Sequence, residues 1–149
     1  MKKFNYILLF VFFSATFYLI SQSLTFDANT GDTVLDEKLK NLNAQAVADI
    51  STFKMEIASE FQTTEFKISK LLEEMEPAEV LFSYNIALIN SISVDDVISV
   101  YKENKDYGWS VIINKLGISQ QSEKFKDLKN ISIYGKPDSI FNTEISQNK

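Results

Sequence analysis

The amino-acid sequence predicts an all-α protein, a compact bundle of about five or six helices that follows an N-terminal signal or anchor helix. Apolar residues recur at intervals of three and four through most of residues 33–129. Residues with helix-capping chemistry stand directly before these stripes. The one alternating stretch, "NISIYG" (130–135), has no second strand with which to pair.

The N-terminus has the order of an export signal. Lys2 and Lys3 precede the apolar segment "FNYILLFVFFSATFYLI" (4–20), and "SQS" (21–23) places small residues where a signal peptidase cuts. We therefore expect cleavage after Ser23. An uncleaved membrane anchor is the alternative, because the apolar segment is close to the length that spans a bilayer. Either way, the rest of the chain is expected to be exported, to the periplasm or the extracellular space.

Composition divides the remainder into three parts. The segment "LTFDANTGD" (24–32) is expected to be a linker, residues 33–130 the helical domain, and residues 131–149 a flexible tail. Asp27 and Asn29 have the spacing that opens a calcium loop. However, Gly31 and Asp32 are in the wrong order for an EF-hand, so we expect a flexible turn there.

The first predicted helix begins at Thr33, which has capping-box spacing to Asp36. Residues 41–43 are the candidate place for a break in this long helix. Its apolar stripe covers about seven turns and consists of Leu35, Leu39, Leu42, Ala46, Ile50, Phe53, Ile57 and Phe61. A second helix follows "QTT" (62–64), must end before Pro77, and has its apolar positions at Phe66, Ile68, Leu71, Leu72 and Met75.

The next two predicted helices form the centre of the domain. Pro77 suits the first turn of the third helix, because proline lacks the N–H that a helix leaves unpaired there. The segment "AEVLFSYNIALINSI" (78–92) is apolar almost all round, which is typical of a helix buried within a bundle. Ser93 and Asp96 have capping-box spacing for a fourth helix.

The segment "DYGWSVIINKLGISQ" (106–120) contains the only tryptophan and two of the four glycines. Gly108 allows a tight turn, after which apolar residues return at helical spacing at Trp109, Ile112, Ile113 and Leu116. Gly117 and Ile118 match a left-handed helix end with its apolar companion. Trp109 is therefore predicted to anchor a short helix onto the others. Ser122 precedes a last short helix with Phe125 and Leu128.

The absence of histidine and cysteine limits the chemistry that this chain can perform. It excludes disulfides, thiolate nucleophiles, histidine bases and nearly all zinc and haem sites, so we expect no cofactor and no metal. Carboxylate chemistry remains, as in glycoside cleavage by two acids. The candidates are Glu73, Glu74, Glu76, Asp95 and Asp96. Each also has a simpler explanation at a helix boundary or in a helix's first turn.

Charge limits the partners. All 15 basic residues are lysines, and removal of the leader leaves 13 of them against 20 acidic residues, a net charge of −7. A polyanion would be repelled, and no arginine is present to grip phosphate, so we expect no nucleic acid partner. Contact with a membrane is expected only through the N-terminal segment, if it is uncleaved.

The segment "YKENKDYGW" (101–109) is the strongest candidate for a binding surface. It combines aromatic rings with lysines, a mixture that suits a sugar or a peptide. The candidate binding residues are Tyr101, Lys102, Lys105, Tyr107 and Trp109. The alternative is structural, with Tyr101 and Trp109 on core faces and the lysines in solvent.

Residues 101–129 resemble the C-terminal part of a group of small exported bacterial proteins of unknown function that carry a Gly-Trp-x-x-Ile-x-x-x-Leu-Gly pattern. The match is carried by Gly108, Trp109, Ile112, Leu116 and Gly117, and the preceding predicted helices are similar too. The chain departs from the pattern where the group has Gly, Ala and His, at Ser110, Ile113 and Lys126. The resemblance implies an exported helical protein and no particular activity.

Together these observations predict a non-enzymatic binding or structural component of the cell envelope. Its partner would be an envelope protein or a glycan. The alternative is a carboxylate-dependent hydrolase that acts on envelope glycans, which would require two acidic side chains facing each other across a groove.

Overall fold

The computed structural model describes residues 26–132, so the predicted signal or anchor segment and most of the predicted tail lie outside the described residues. Within this range the chain is helical, which confirms the all-α prediction for these residues. It forms seven α-helices where about five or six were expected. The elements are α1 (Thr33–Ala48), α2 (Ile50–Glu60), α3 (Glu65–Leu71), α4 (Pro77–Asn90), α5 (Val94–Asn104), a 3₁₀ helix (Lys105–Tyr107), α6 (Trp109–Lys115) and α7 (Glu123–Lys129).

Helix α4 lies at the centre of the bundle. It packs against α1, α5 and α7, and every residue from Pro77 to Ala87 except Glu79 is buried. The prediction of a helix that is apolar almost all round and buried by its neighbours is therefore confirmed. Pro77 is the first residue of α4, a position that favours proline because the N–H that proline lacks would be unpaired there.

Side-chain caps define where five of the helices begin. In each, an oxygen of the residue before the helix accepts a hydrogen bond from a backbone N–H of the first turn; these residues are Asp32, Asp49, Thr64, Ser93 and Ser122. The prediction for α1 was wrong by one residue. Asp32 is the cap, and the Asp36 carboxylate accepts from the backbone N–H and the hydroxyl of Thr30, each at 2.7 Å.

The long first helix breaks at Asp49 and not near residues 41–43. Asp49 leaves helical geometry, with φ −141° and ψ 72°, and its carboxylate accepts from the backbone N–H of Thr52 at 3.1 Å to start α2. Asn43 stays helical because its buried side chain has partners on another helix. After the break, α1 packs against α4 and α2 packs against α3.

The short helices each bury few side chains. In α3 only Ile68 is buried, and Phe66, which was predicted to face the core, is 73% exposed. A helix of seven residues has about two turns and presents a narrow face, so one apolar position falls outside it. Helix α7 buries Phe125 and Leu128 as predicted. Between residues 26 and 132, no helix has the length and hydropathy that a membrane span requires.

Candidate functional site

The segment that contains Trp109 begins at a turn, and residues 28 and 29 hold this turn in place through hydrogen bonds. Gly108 has φ +80°, and the first N–H groups of α6, those of Trp109 and Ser110, donate to the carbonyls of Ala28 and Asn29 at 2.9 and 2.8 Å. Ala28 is buried. The region predicted as a linker and a flexible turn therefore serves as a backbone cap for α6, since it supplies acceptors that this helix lacks in its own side chains.

The other end of α6 has the geometry that its sequence predicts. Gly117 has φ +78°. The N–H of Ile118 donates to the carbonyl of Ile113 at 2.9 Å, and that of Gly117 donates to Asn114 at 2.9 Å. This pair of bonds is the Schellman motif, and Ile118 is its buried apolar companion.

Trp109 is buried at the centre of an aromatic group. Its side chain is 1% exposed. Its ring meets Phe82 edge to face at a centroid distance of 4.9 Å and lies 5.3 Å from the ring of Tyr101. Such geometry stabilises aromatic pairs beyond the area they bury. The prediction that Trp109 anchors the short helix onto the others is confirmed.

A polar network crosses this apolar centre, and we call it the Glu79 cluster (Asn43, Glu76, Glu79, Tyr101 and Trp109). One carboxylate oxygen of Glu79 accepts from the indole N–H of Trp109 at 3.2 Å. The other accepts from the hydroxyl of Tyr101 at 2.8 Å and from the backbone N–H of Glu76 at 3.0 Å. Glu79 thereby joins the start of α4 to α5 and α6.

Asn43 extends the Glu79 cluster to α1. Its side chain is fully buried; the amide N–H donates to the carboxylate of Glu76 at 3.0 Å, and the amide oxygen accepts from the backbone N–H of Ala78 at 3.0 Å. Both bonds satisfy groups at the N-terminal end of α4, where a helix has unpaired N–H groups. The pattern Glu76-Pro77 followed by Glu79 indicates a helix start, but nothing in the local sequence points to Asn43.

Burial fixes the protonation state of Tyr101. Desolvation and then the negative charge of Glu79 raise the pKa of its phenol well above the usual value. Tyr101 therefore keeps its proton and acts as a donor to Glu79. It has no role as a base or nucleophile near neutral pH.

The structure separates the five predicted binding residues into two groups. Tyr101 and Trp109 are buried in the Glu79 cluster. Lys102, Lys105 and Tyr107 are exposed, with Tyr107 66% exposed on the 3₁₀ helix. Lys102 forms an ion pair with Glu74 at 2.8 Å. Only the last three residues are thus placed where an external partner could contact them.

Each of the candidate catalytic acids has a partner within the chain. Glu73 pairs with Lys70, Glu74 with Lys102, and Asp95 with Lys67, all at 2.8 Å. The pKa of Glu74 is lowered by its hydrogen bond to Lys102. Asp96 accepts from the Ser93 hydroxyl at 2.7 Å, and Glu76 from Asn43. No group of three metal-ligating side chains is found within residues 26–132.

Two grooves at the surface of residues 26–132 are lined by residues other than those of the Glu79 cluster. The α1 groove, of about 550 Å³, runs along the exposed side of α1 to the end of the described chain, and its walls include Val34, Lys38, Asn41, Leu42, Ile131 and Ser132. The α6 groove, of about 770 Å³, is mostly polar and is lined by residues that include Ser110, Val111, Asn114, Ser119 and Gln120.

Comparison of the chain with protein-family models, with curated proteins and with solved structures found no match.

Proposed function

We propose that this chain is an exported, non-enzymatic binding or structural component of the cell envelope. Export is supported by the basic start and apolar segment of residues 2–20 and by the resemblance in residues 101–129. The protein isolated from its host is expected to lack residues 1–23. Mass spectrometry of that protein tests this, and a mass that includes Met1 to Ser23 would show that the leader is retained.

The non-enzymatic part of the proposal is carried by the partners of the carboxylates. A glycosidase needs one carboxylic acid to donate a proton and a second carboxylate to face the same bond. The candidate acids of this chain are instead engaged with lysines, a serine or Asn43. Glu79, the acid that Tyr101 and Trp109 contact, is occupied by three internal donors.

The binding part of the proposal concerns a surface that we call the Tyr107 surface (Lys102, Lys105 and Tyr107). It contains an exposed phenol ring and two exposed lysines, of which Lys102 is paired with Glu74, and so offers an apolar face and hydrogen-bond donors. That chemistry suits an envelope glycan or an acidic segment of an envelope protein. The buried Trp109, two residues after Tyr107, anchors the chain next to this surface.

Binding of the immobilised full-length chain to an envelope extract tests the proposal. Tyr107→Ala, alone and with Lys105→Ala, is expected to weaken capture of a bound component about tenfold, the loss typical of a central interface residue. Phe66→Ala is the matched control, because Phe66 is also exposed and lies on a different helix. Equal capture by all variants would contradict the assignment of the Tyr107 surface.

The hydrolase alternative is tested separately with isolated cell-wall glycan. The wild-type chain is expected to release no product. Measurable release that is abolished by Glu76→Gln, or by a single substitution at Glu73, Asp95 or Asp96, would replace the proposal with the enzymatic alternative.

A further inference from the structure

The α6 groove is lined by polar groups and carries little charge. Its exposed polar residues are Asn114, Lys115, Ser119, Gln120 and Gln121. Among the described residues that line it there is no aspartate or glutamate, and Lys115 is the one charged residue, although acidic residues outnumber lysines 20 to 15 in the whole chain. The volume of about 770 Å³ lies within the range of pockets that bind small ligands.

Three side chains of the groove are not used by the fold. Within residues 26–132, the side chains of Ser110, Asn114 and Lys115 form no hydrogen bond or ion pair. Oε1 of Gln121 accepts from the Ser119 hydroxyl at 2.7 Å, which leaves the amide N–H groups of Gln121 without an acceptor in this range. Hydroxyl and amide side chains both donate and accept hydrogen bonds. The groove therefore presents donors and acceptors together.

The wall formed by Gln120 is held in place by the segment before α1. The amide nitrogen of Gln120 donates to the carbonyl of Thr30 at 3.2 Å. Gly31 lies against the same amide, where an added Cβ would clash with Nε2 of Gln120. Two further lining residues, Ile113 and Ile118, are buried and joined by the Schellman bond that ends α6. Walls that are ordered before binding reduce the entropy cost of holding a ligand.

The polar lining favours a glycan over a peptide or a polyanion. Each sugar hydroxyl donates and accepts hydrogen bonds, as the groups of the groove do. A bound peptide needs pockets for alternate side chains, whereas Ile113 and Ile118 are already buried beneath this groove. A polyanion would need several basic side chains, and the described lining contains only Lys115.

We propose that the α6 groove binds a short segment of a cell-envelope glycan, with Asn114 and Gln121 hydrogen-bonded to its hydroxyl groups. This site is additional to the Tyr107 surface, because none of the three residues of that surface lines the groove. The envelope as the source of the glycan rests on the proposed export. Binding of purified glycan in solution does not depend on export and can be tested by itself.

A titration followed by nuclear magnetic resonance tests the proposal. The isotope-labelled full-length chain in detergent micelles is titrated with soluble glycan strands from isolated cell wall, freed of their peptide stems. Amide signals of residues 110–121 are expected to shift and to saturate. Asn114→Ala and Gln121→Ala are each expected to weaken binding about fivefold, the effect of one typical hydrogen bond. Asn41→Ala is the matched control, because Asn41 is an exposed asparagine in the α1 groove.

Three results would overturn the proposal. One is the absence of saturable shifts, or equal affinity of the wild type and both groove variants. Another is binding that is lost in Tyr107→Ala and kept in Asn114→Ala, which would place the glycan on the Tyr107 surface and leave the proposed function intact. The third is binding only by strands that keep their peptide stems, which would make the ligand a peptide. Amide signals of α4 that are unchanged in position show that the variants remain folded.

Discussion

Trp109 donates a hydrogen bond from its indole nitrogen to Oε1 of Glu79 at 3.2 Å, across 30 residues of sequence. The other oxygen of this carboxylate accepts hydrogen bonds from the Tyr101 hydroxyl and from the backbone N–H of Glu76, at the start of α4. Hydrogen bonds to a charged acceptor are stronger than neutral ones. The ring of Trp109 is therefore fixed by aromatic packing and its indole N–H by a hydrogen bond, as a structural anchor requires.

Removal of the Glu79 carboxylate is expected to destabilise the fold strongly. Glu79→Ala leaves the buried Tyr101 hydroxyl and the Trp109 N–H without an acceptor, and each unpaired buried donor costs about 1–3 kcal/mol. We expect the free energy of unfolding to fall by about 3 kcal/mol. Glu79→Gln keeps one acceptor oxygen, so its free energy of unfolding is expected to lie between those of Glu79→Ala and the wild type. Urea denaturation measures both.

Glu73→Ala is the control for the Glu79 variants. Glu73 is an exposed glutamate whose side chain is 62% accessible and pairs with Lys70. Exposed pairs of this kind contribute little to stability. A Glu79→Ala variant as stable as Glu73→Ala would show that the Glu79 cluster does not support the fold.

Gly108→Ala is expected to reduce the stability of the fold more than Gly117→Ala. Both glycines have nearly the same positive φ, 80° and 78°, and alanine in the left-handed helical region costs about 1–2 kcal/mol. Gly108 also has ψ 170°, in a region that is essentially restricted to glycine, so its backbone cost is the larger of the two. At Gly108 the new Cβ would also lie 2.7–2.9 Å from side-chain atoms of Asn29, whereas nothing lies within 4 Å at Gly117. Thermal denaturation measures the difference.

A second substitution isolates the steric part of the Gly108 effect. Asn29 has φ +50°, a conformation that glycine tolerates. Asn29→Gly removes the clashing side chain and keeps the carbonyl that caps α6. Gly108→Ala is therefore expected to reduce stability less in the Asn29→Gly background than in the wild type. Equal losses of stability in the two backgrounds would refute the close contact between residues 29 and 108.

The ion pair between Asp32 and Lys129 is expected to give the fold a pH dependence. Their side chains are 23% and 34% exposed and lie 2.7 Å apart, and the hydrogen bond from Lys129 is the largest cause of the lowered pKa of Asp32. Because the pKa of Asp32 in the folded chain lies below the usual aspartate value of 3.8, the pair stabilises the fold above about pH 4. This contribution is lost as the pH falls through the folded pKa.

Asp32→Asn measures this contribution, because asparagine caps a helix as well as aspartate does. The variant is expected to be less stable at pH 7 by less than about 1 kcal/mol, since a partly exposed pair is screened by solvent. The difference from the wild type should shrink as the pH falls below 3.8. A difference that is constant between pH 7 and pH 3 would contradict the role assigned to the pair.

Local signals in the sequence predicted much of the helical fold. Ser93 and Ser122 begin helices, Pro77 is the first residue of α4, and Gly117 ends α6. Each of these depends on backbone groups within a few residues. The break at Asp49 belongs to the same class, since an aspartate three residues before Thr52 has capping chemistry. The polar residues 41–43 are the more conspicuous interruption of the apolar stripe, however, and the predicted break was placed there.

Contacts between distant residues were not predictable from the sequence. Asn43 interrupts an apolar stripe, a pattern that favours a helix break, whereas its partners lie 33 and 35 residues away at Glu76 and Ala78. Glu79 likewise looks like an ordinary first-turn acid. Its acceptance of hydrogen bonds from Tyr101 and Trp109 depends on how α5 and α6 pack, which no local pattern specifies.

Fluorescence of the single tryptophan tests the central claim, that Trp109 is a buried anchor, without any substitution. With its side chain 1% exposed, the native chain is expected to emit at shorter wavelength than the urea-unfolded chain. Quenching by acrylamide should be several times weaker in the native state. Native emission at the wavelength of the unfolded chain, with quenching as strong as that of free tryptophan amide, would place the ring in solvent and contradict the account.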